Sequence, residues 1–166
     1  MMKARAILFL LLFFVPIIIF GQISDQDSLK VEKIANTIVR GKFEISIDKK
    51  KIPIFIKHRL TKIDKSKFKI ASGSEEFNSG DALQTSRLPN KRIVYIAYNE
   101  NFYIVTYEQG GFGKTYYTRI IEYEKKNIKC ISTLIIPPHT NIEELKSIFD
   151  RKRIIRYVVD KSLCYY

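Results

Sequence analysis

Two hydrophobic periods alternate along this chain. Over Asp27–Val39, the residues Val31, Ile34, Ala35 and Ile38 recur at i, i+3, i+4 and i+7, the apolar stripe of a helix. Ser24, Asp25 and Asp27 offer caps at its start, and Gly41 is a natural stop. The period then drops to two. In KFEISI, Phe43, Ile45 and Ile47 alternate with polar neighbours, and in IPIFIKHRL, Ile52, Ile54, Ile56, His58 and Leu60 share one face. A turn at Asp48–Lys51 would pair Ile47 with Ile52 and Ile45 with Ile54, so the pattern predicts a hairpin. Pro53 points to an edge position or a bulge in its second strand.

A short strand is expected at Lys67–Ala71, followed by a polar, Gly- and Ser-rich loop over 72–91. Loops of that length are functional or disordered. RIVYIAY, FYIVTYE, KTYYTRIIEYE and IKCISTLII then read as a meander rich in Tyr, Ile, Val and Thr. With a turn at Glu100-Asn101, Val94, Ile96 and Tyr98 face the same side as Tyr103, Val105 and Tyr107. That side should be core, with Tyr hydroxyls at its rim. Pro137 and Pro138 stop the sheet, Thr140 and Glu143 form a capping box, and a helix is expected over 142–151. RIIRYVVD supplies a last strand. The sum is one α+β domain: an antiparallel sheet of about six to eight strands, N-terminal hairpin plus C-terminal meander, packed on one face by two amphipathic helices.

The first residues belong to another category. Lys3 and Arg5 precede Ile7–Phe20, which is apolar throughout apart from Pro16, and a polar segment comes after Gly21-Gln22. This is the layout of a secretory signal peptide. A spanning helix needs about 20 apolar residues, more than this proline-broken run supplies. The Phe20-Gly21-Gln22 ending resembles signal peptides of Gram-negative Bacteroidetes. The expectation is a cleaved segment 1–21, a single domain at 22–166, and a periplasmic or secreted location with no integral span after cleavage. An exported compartment lets Cys130 and Cys164, the only two cysteines, form a disulfide. The other reading is two separate buried thiols.

One stretch imitates a catalytic motif. Gly113-Lys114-Thr115 matches the end of a phosphate-binding loop, but Glu108 stands where its first glycine belongs and a strand pattern comes next in place of a helix. Gly110, Gly111 and Gly113 serve a hairpin turn instead. No nucleotide or other cofactor is expected.

Candidates for chemistry are sparse. His58 and His139 are too few and too isolated for a metal site. His58 reads as a core-edge residue and His139 as a loop residue, or as a base for Cys130. Glu122 and Glu124 share a strand face, with Glu108 on a neighbouring strand, and paired carboxylates can do acid–base work. A small periplasmic hydrolase using Glu108, Glu122 and His58 or His139 is therefore the alternative function.

Charge is the stronger signal. The full chain carries +12, and +10 remains once Lys3 and Arg5 leave with the signal peptide. Residues 49–69 hold nine Lys or Arg and one acid, Asp64. On the strand reading, Lys57 and Arg59 point outward on one strand and Lys65, Lys67 and Lys69 on another. Together they make a binding stripe for an anion, or merely a solvated face that discourages edge pairing. The leading function is a non-enzymatic exported module that binds an anionic polysaccharide or protein of the cell envelope. Export, rather than charge, discounts nucleic acid as the physiological partner.

Overall fold

The computed structural model describes residues 25–64, 68–80, 87–111, 113–151 and 156–159. The expected signal peptide, Lys65, Lys67 and Cys164 lie outside them. The chain divides into two compact units, Met1–Ile34 and Ala35–Tyr166. Of the first, only the opening turns of helix α1 (Asp25–Arg40) are described, ending at the buried Ile34. The second begins with the rest of α1, where Ile38 is fully buried and the N–H of Gly41 closes the helix on Ile38 O. It continues with a sheet and two further helices.

The strands run in chain order, each antiparallel to the next: β1 (Glu44–Ser46), β2 (Lys91–Tyr98), β3 (Phe102–Gln109), β4 (Thr115–Glu124), β5 (Asn127–Ile135) and β6 (Arg156–Val159). The α+β antiparallel architecture and the meander are as expected. Lys125 and Lys126 close the β4–β5 hairpin with φ of 49° and 69°, the left-handed pair that a two-residue hairpin turn needs. The glycine-rich stretch links β3 to β4, with Gly111 and Gly113 at φ of 138° and 85°. Gly113-Lys114-Thr115 leads into a strand, so this stretch is a turn.

The N-terminal hairpin is not formed. IPIFIKHRL, expected to be its second strand, is helix α2 (Ile54–Ile63), preceded by a 3-10 turn at Lys49–Lys51 that Asp48 caps through Lys50 N–H. β1 pairs with β2 instead, Ser46 opposite Ile96. The physical reason lies in the spacing. Ile52, Ile56, Leu60 and Ile63 fall at steps of four, four and three, which satisfies a helix as well as the alternation satisfied a strand. Phe55 and Ile63, which do not fit the alternation, pack against the core, whereas Ile54, which does fit it, is 73% exposed. Pro53 lacks an N–H and sits just before the first helical turn, where none is missed. Residues 68–70 are likewise no regular strand; only Ala71 bridges β2, accepting from Ile93 N–H and donating to Lys91 O.

The extra helix covers a face of the sheet left open by the sequence reading. Ile52, Ile56, Leu60 and Ile70 pack on Ile93, Ile96, Tyr103, Val105, Tyr107, Ile121 and Ile131. A bulge between Ile93 and Tyr95 puts Ile93, not Val94, in that row. On the opposite face, His139 contacts Thr106, Thr118 and Tyr95 and leads into helix α3 (Ile142–Asp150), whose Ile142, Leu145 and Phe149 are buried. The cap of α3 is one residue later than expected: Asn141 accepts from Glu144 N–H, and Glu144 reaches back to Thr140 N–H.

A hairpin and a helix make opposite demands on Ile54 and Ile56. Ile56→Ala should cost about 2–5 kcal/mol by opening a cavity, while Ile54→Glu should stay within about 0.5 kcal/mol. Urea unfolding of the two variants measures the contrast, and comparable losses would restore the strand.

Candidate functional site

The densest charge inside the fold lies where α2 ends. Asp64 is the C-cap of that helix, its N–H donating to Leu60 O. Its two oxygens are claimed from the sheet: Lys91 Nζ lies 2.5 Å from Oδ2 and Arg119 Nη2 2.5 Å from Oδ1, with side-chain exposures of 9%, 14% and 8% for Asp64, Lys91 and Arg119. Arg119 occupies a core-facing position of β4, opposite Val105 and flanked on its own strand face by Tyr117 and Ile121. Phe68 and Tyr107 cover the cations with their rings. Lys91 Nζ is 5.4 and 5.5 Å from the two centroids, and the Arg119 guanidinium carbon 5.9 and 5.7 Å. Tyr117 stacks on Tyr107 at 5.4 Å.

Burial by itself would raise the pKa of Asp64, but the hydrogen bonds and charges of Lys91 and Arg119 outweigh it and hold the carboxyl below its ordinary 3.8. Asp64 is thus kept ionised and fully engaged, which disqualifies it as a general base near neutral pH. Desolvation likewise pushes the Tyr107 phenol up, with Arg119 opposing. Two cations against one anion leave the cluster formally at +1. Nε and Nη1 of Arg119 are buried without an acceptor, a costly condition for a charged donor.

A second polar group is sealed in the opposite face. His139 Nδ1 lies 3.0 Å from Pro137 O; a carbonyl only accepts, so Nδ1 carries the proton. Nε2 therefore accepts from Thr118 Oγ1 at 3.1 Å, and Thr118 in turn accepts from Thr106 at 3.0 Å. Desolvation lowers the His139 pKa below its ordinary 6.5, against the raising effects of Pro137 O and Glu144. His139 is 1% exposed and both threonines are fully buried, so the chain of hydrogen bonds locks the 136–141 segment to the sheet and is closed to a substrate.

The catalytic candidates are not assembled. Glu108 is buried and held by Arg92, whose Nε is 2.7 Å from Oε1, with Lys114 at 3.8 Å. Glu122 stands opposite Phe102, at the other end of β3 from Glu108, about 20 Å away at strand rise. Glu124 pairs with Lys129 at 2.5 Å. His58 is exposed on α2, not at a core edge. His139 does lie in the loop after β5 but is buried there, and Cys130, opposite Glu122, is four positions along β4 from Thr118, its row well away from the imidazole.

The binding candidates are displaced too. Lys57 and Arg59 are half-buried on a helix, about 200° apart around its axis, so they share no strand face. Lys69 is exposed beside β2. Lys91, Arg119 and Phe68 are not among the residues that sequence reasoning singles out, although Arg119 interrupts an apolar alternation (Tyr117, Ile121, Tyr123) and is thus visible as a charge on a core-facing row. No protein-family model, curated protein or solved structure matches this chain.

Two acid-sensitive steps are expected. A folded-state pKa below the unfolded value means stability is complete above the unfolded value and is lost as protons bind the unfolded chain first. His139 should therefore erode stability as pH falls below 6.5, and Asp64 as it falls below 3.8. Denaturant titrations across pH should show the first step vanish in His139→Gln. Asp64→Asn should cost about 3–5 kcal/mol, since it leaves two buried cations uncompensated, and more than Lys91→Met, which leaves a balanced pair.

Proposed function

We propose that the protein is an exported, non-enzymatic binding module for an anionic component of the cell envelope, a polysaccharide or a protein. The signal-peptide pattern of residues 1–21 supports export, and the surplus of cations supports the partner. The observation that carries the reading is the basic surface around α2. Lys50 and Lys51 on the 3-10 turn, Lys62 on the helix and Lys69 beyond it are all exposed, on a chain of net charge +12. Lys57 lies half-buried on α2 beside these residues. Surface cations of this density raise the local concentration of an anionic polymer and speed its capture. The separated, engaged carboxylates and the closed His139 chain offer nothing comparable in favour of a hydrolase.

Binding to an acidic polysaccharide should weaken sharply with salt, since screening shortens to about 8 Å at physiological ionic strength. A Lys57→Glu/Lys62→Glu/Lys69→Glu variant should lose most of that binding and keep its folding transition. Unchanged affinity would leave these lysines as a solvated face only.

Export and the disulfide are read together by mass spectrometry of protein from its native host. The expected mass begins after Gly21 or Gln22 and is two hydrogens light, for a Cys130–Cys164 bond. Cys130 is buried in β5, and β6 ends at Val159 opposite Ser132, two residues from it. A loop of about 35 residues closed there contributes roughly 3–4 kcal/mol. An intact Met1 in the membrane fraction would count against export, and two titratable thiols against the bond.

A further inference from the structure

We propose that the end of the domain formed by the start of α2 and the β2–β3 and β4–β5 turns is a docking face for an anionic lipid bilayer, with Ile54 as its apolar anchor. Contacts bring the three segments together. Tyr103 OH donates to Lys51 O at 2.7 Å, just before α2, and Tyr98 stacks on Tyr103 with centroids 5.5 Å apart. Tyr123 OH donates to Asn99 O at 2.7 Å and its N–H to Asn101 O at 2.9 Å, while its ring lies 5.8 Å from that of Phe55. Ile54 is the most exposed large hydrophobic side chain among the described residues. Phe55, Tyr98 and Tyr123 at the same end are only half-buried. Tyrosines with an apolar body and a wet hydroxyl are the side chains that collect where water meets lipid.

Cations accompany these side chains. Lys50 and Lys51 precede Ile54 and are exposed, and Lys57 follows it by one helical turn. The exposed Lys125 and Lys126 close the hairpin just beyond Tyr123. Glu44, hydrogen-bonded to Tyr98, and Glu100 are the acids that oppose them. Asp48 is occupied as the cap of the 3-10 turn, Glu124 is paired with Lys129, and Glu122, opposite Phe102, is turned to the other face of the sheet. The combination selects the occupant. An acidic polysaccharide would satisfy the lysines but has no apolar phase for Ile54 to enter. A bilayer rich in anionic headgroups supplies both, charge at its surface and hydrocarbon just beneath.

This inference goes beyond the polymer-binding reading, and the two fail separately. The test uses the processed protein with vesicles of phosphatidylglycerol and phosphatidylcholine in equal parts, and with vesicles of phosphatidylcholine alone. Sedimentation gives the affinity. The chain has no Trp, so Ile54→Trp and Leu88→Trp each place one fluorescent reporter on an exposed apolar position, the second before the far end of β2. Mixed vesicles should bind about tenfold or more tightly than phosphatidylcholine alone, and less tightly as salt rises. They should shift the emission of Ile54→Trp to the blue and leave that of Leu88→Trp unchanged. Ile54→Glu should weaken mixed-vesicle binding about tenfold or more. Lys125→Asn/Lys126→Gly suits the left-handed turn, with φ of 49° and 69°, and removes two charges. It should weaken vesicle binding about fivefold or more and leave polymer binding within about twofold. No binding to mixed vesicles, equal binding to both kinds, or an equal shift in the two Trp variants overturns the inference, whether or not Ile54→Glu folds. Loss of acidic-polysaccharide binding in Ile54→Glu would assign this end to the polymer and overturn the lipid. Vesicle binding without polymer binding leaves only this inference standing, and polymer binding without vesicle binding leaves only the surface reading.

Discussion

The ion pair network at Asp64 is the constraint on which the arrangement of the domain turns. A helix ending on a sheet must dispose of its last carbonyls and its side-chain charges. Here the C-cap residue is an acid, placed where the helix dipole by itself would disfavour it. That placement is tolerable because Lys91 from β2 and Arg119 from β4 reach Asp64 from the sheet. The three side chains join α2 to two strands that are not neighbours, across the intervening β3. Apolar contacts of Ile56 and Leu60 supply the burial energy for α2, while the charges specify where along the sheet it stops. Such networks contribute more to a unique arrangement than to net stability, because desolvation consumes most of the Coulombic gain.

The opposite face solves a similar problem without net charge. Thr106 and Thr118 are cross-strand partners in a row of the sheet that faces α3, where two buried hydroxyls would be costly if left alone. The chain from Thr106 through Thr118 and His139 to Pro137 O gives each donor an acceptor. It pins the two-proline segment that turns the chain from β5 into α3. Neutral imidazole is required for this, and burial favours that form by lowering its pKa. The edge of β2 is covered by β1 and by Ala71, and Arg92 joins Phe77 and Glu108 to bring the 72–80 stretch onto the sheet. Gly110 admits that stretch closely, since a Cβ there would overlap the backbone of Asn78 and Ser79.

Much of this was determined by the sequence alone. The meander was legible because its strands are adjacent in the chain and rich in β-branched and aromatic residues, so alternation and turn chemistry agree at every step. The glycine turn was legible from the β-branched and aromatic run after Gly113, and both α1 and α3 from one-sided stripes with caps. Net charge and the exclusion of a phosphate loop needed no coordinates. What the tertiary structure decided was the state of Ile52–Ile63, where spacings of four fit both periods and only the packing partner breaks the tie. Once those residues became a helix, Lys57 and Arg59 left their common face and Asp64 became a cap. The candidate site could not be read in advance for the same physical reason. Asp64, Lys91 and Arg119 are 27 and 28 residues apart in sequence, and only a helix laid across three strands brings their charges within hydrogen-bonding distance.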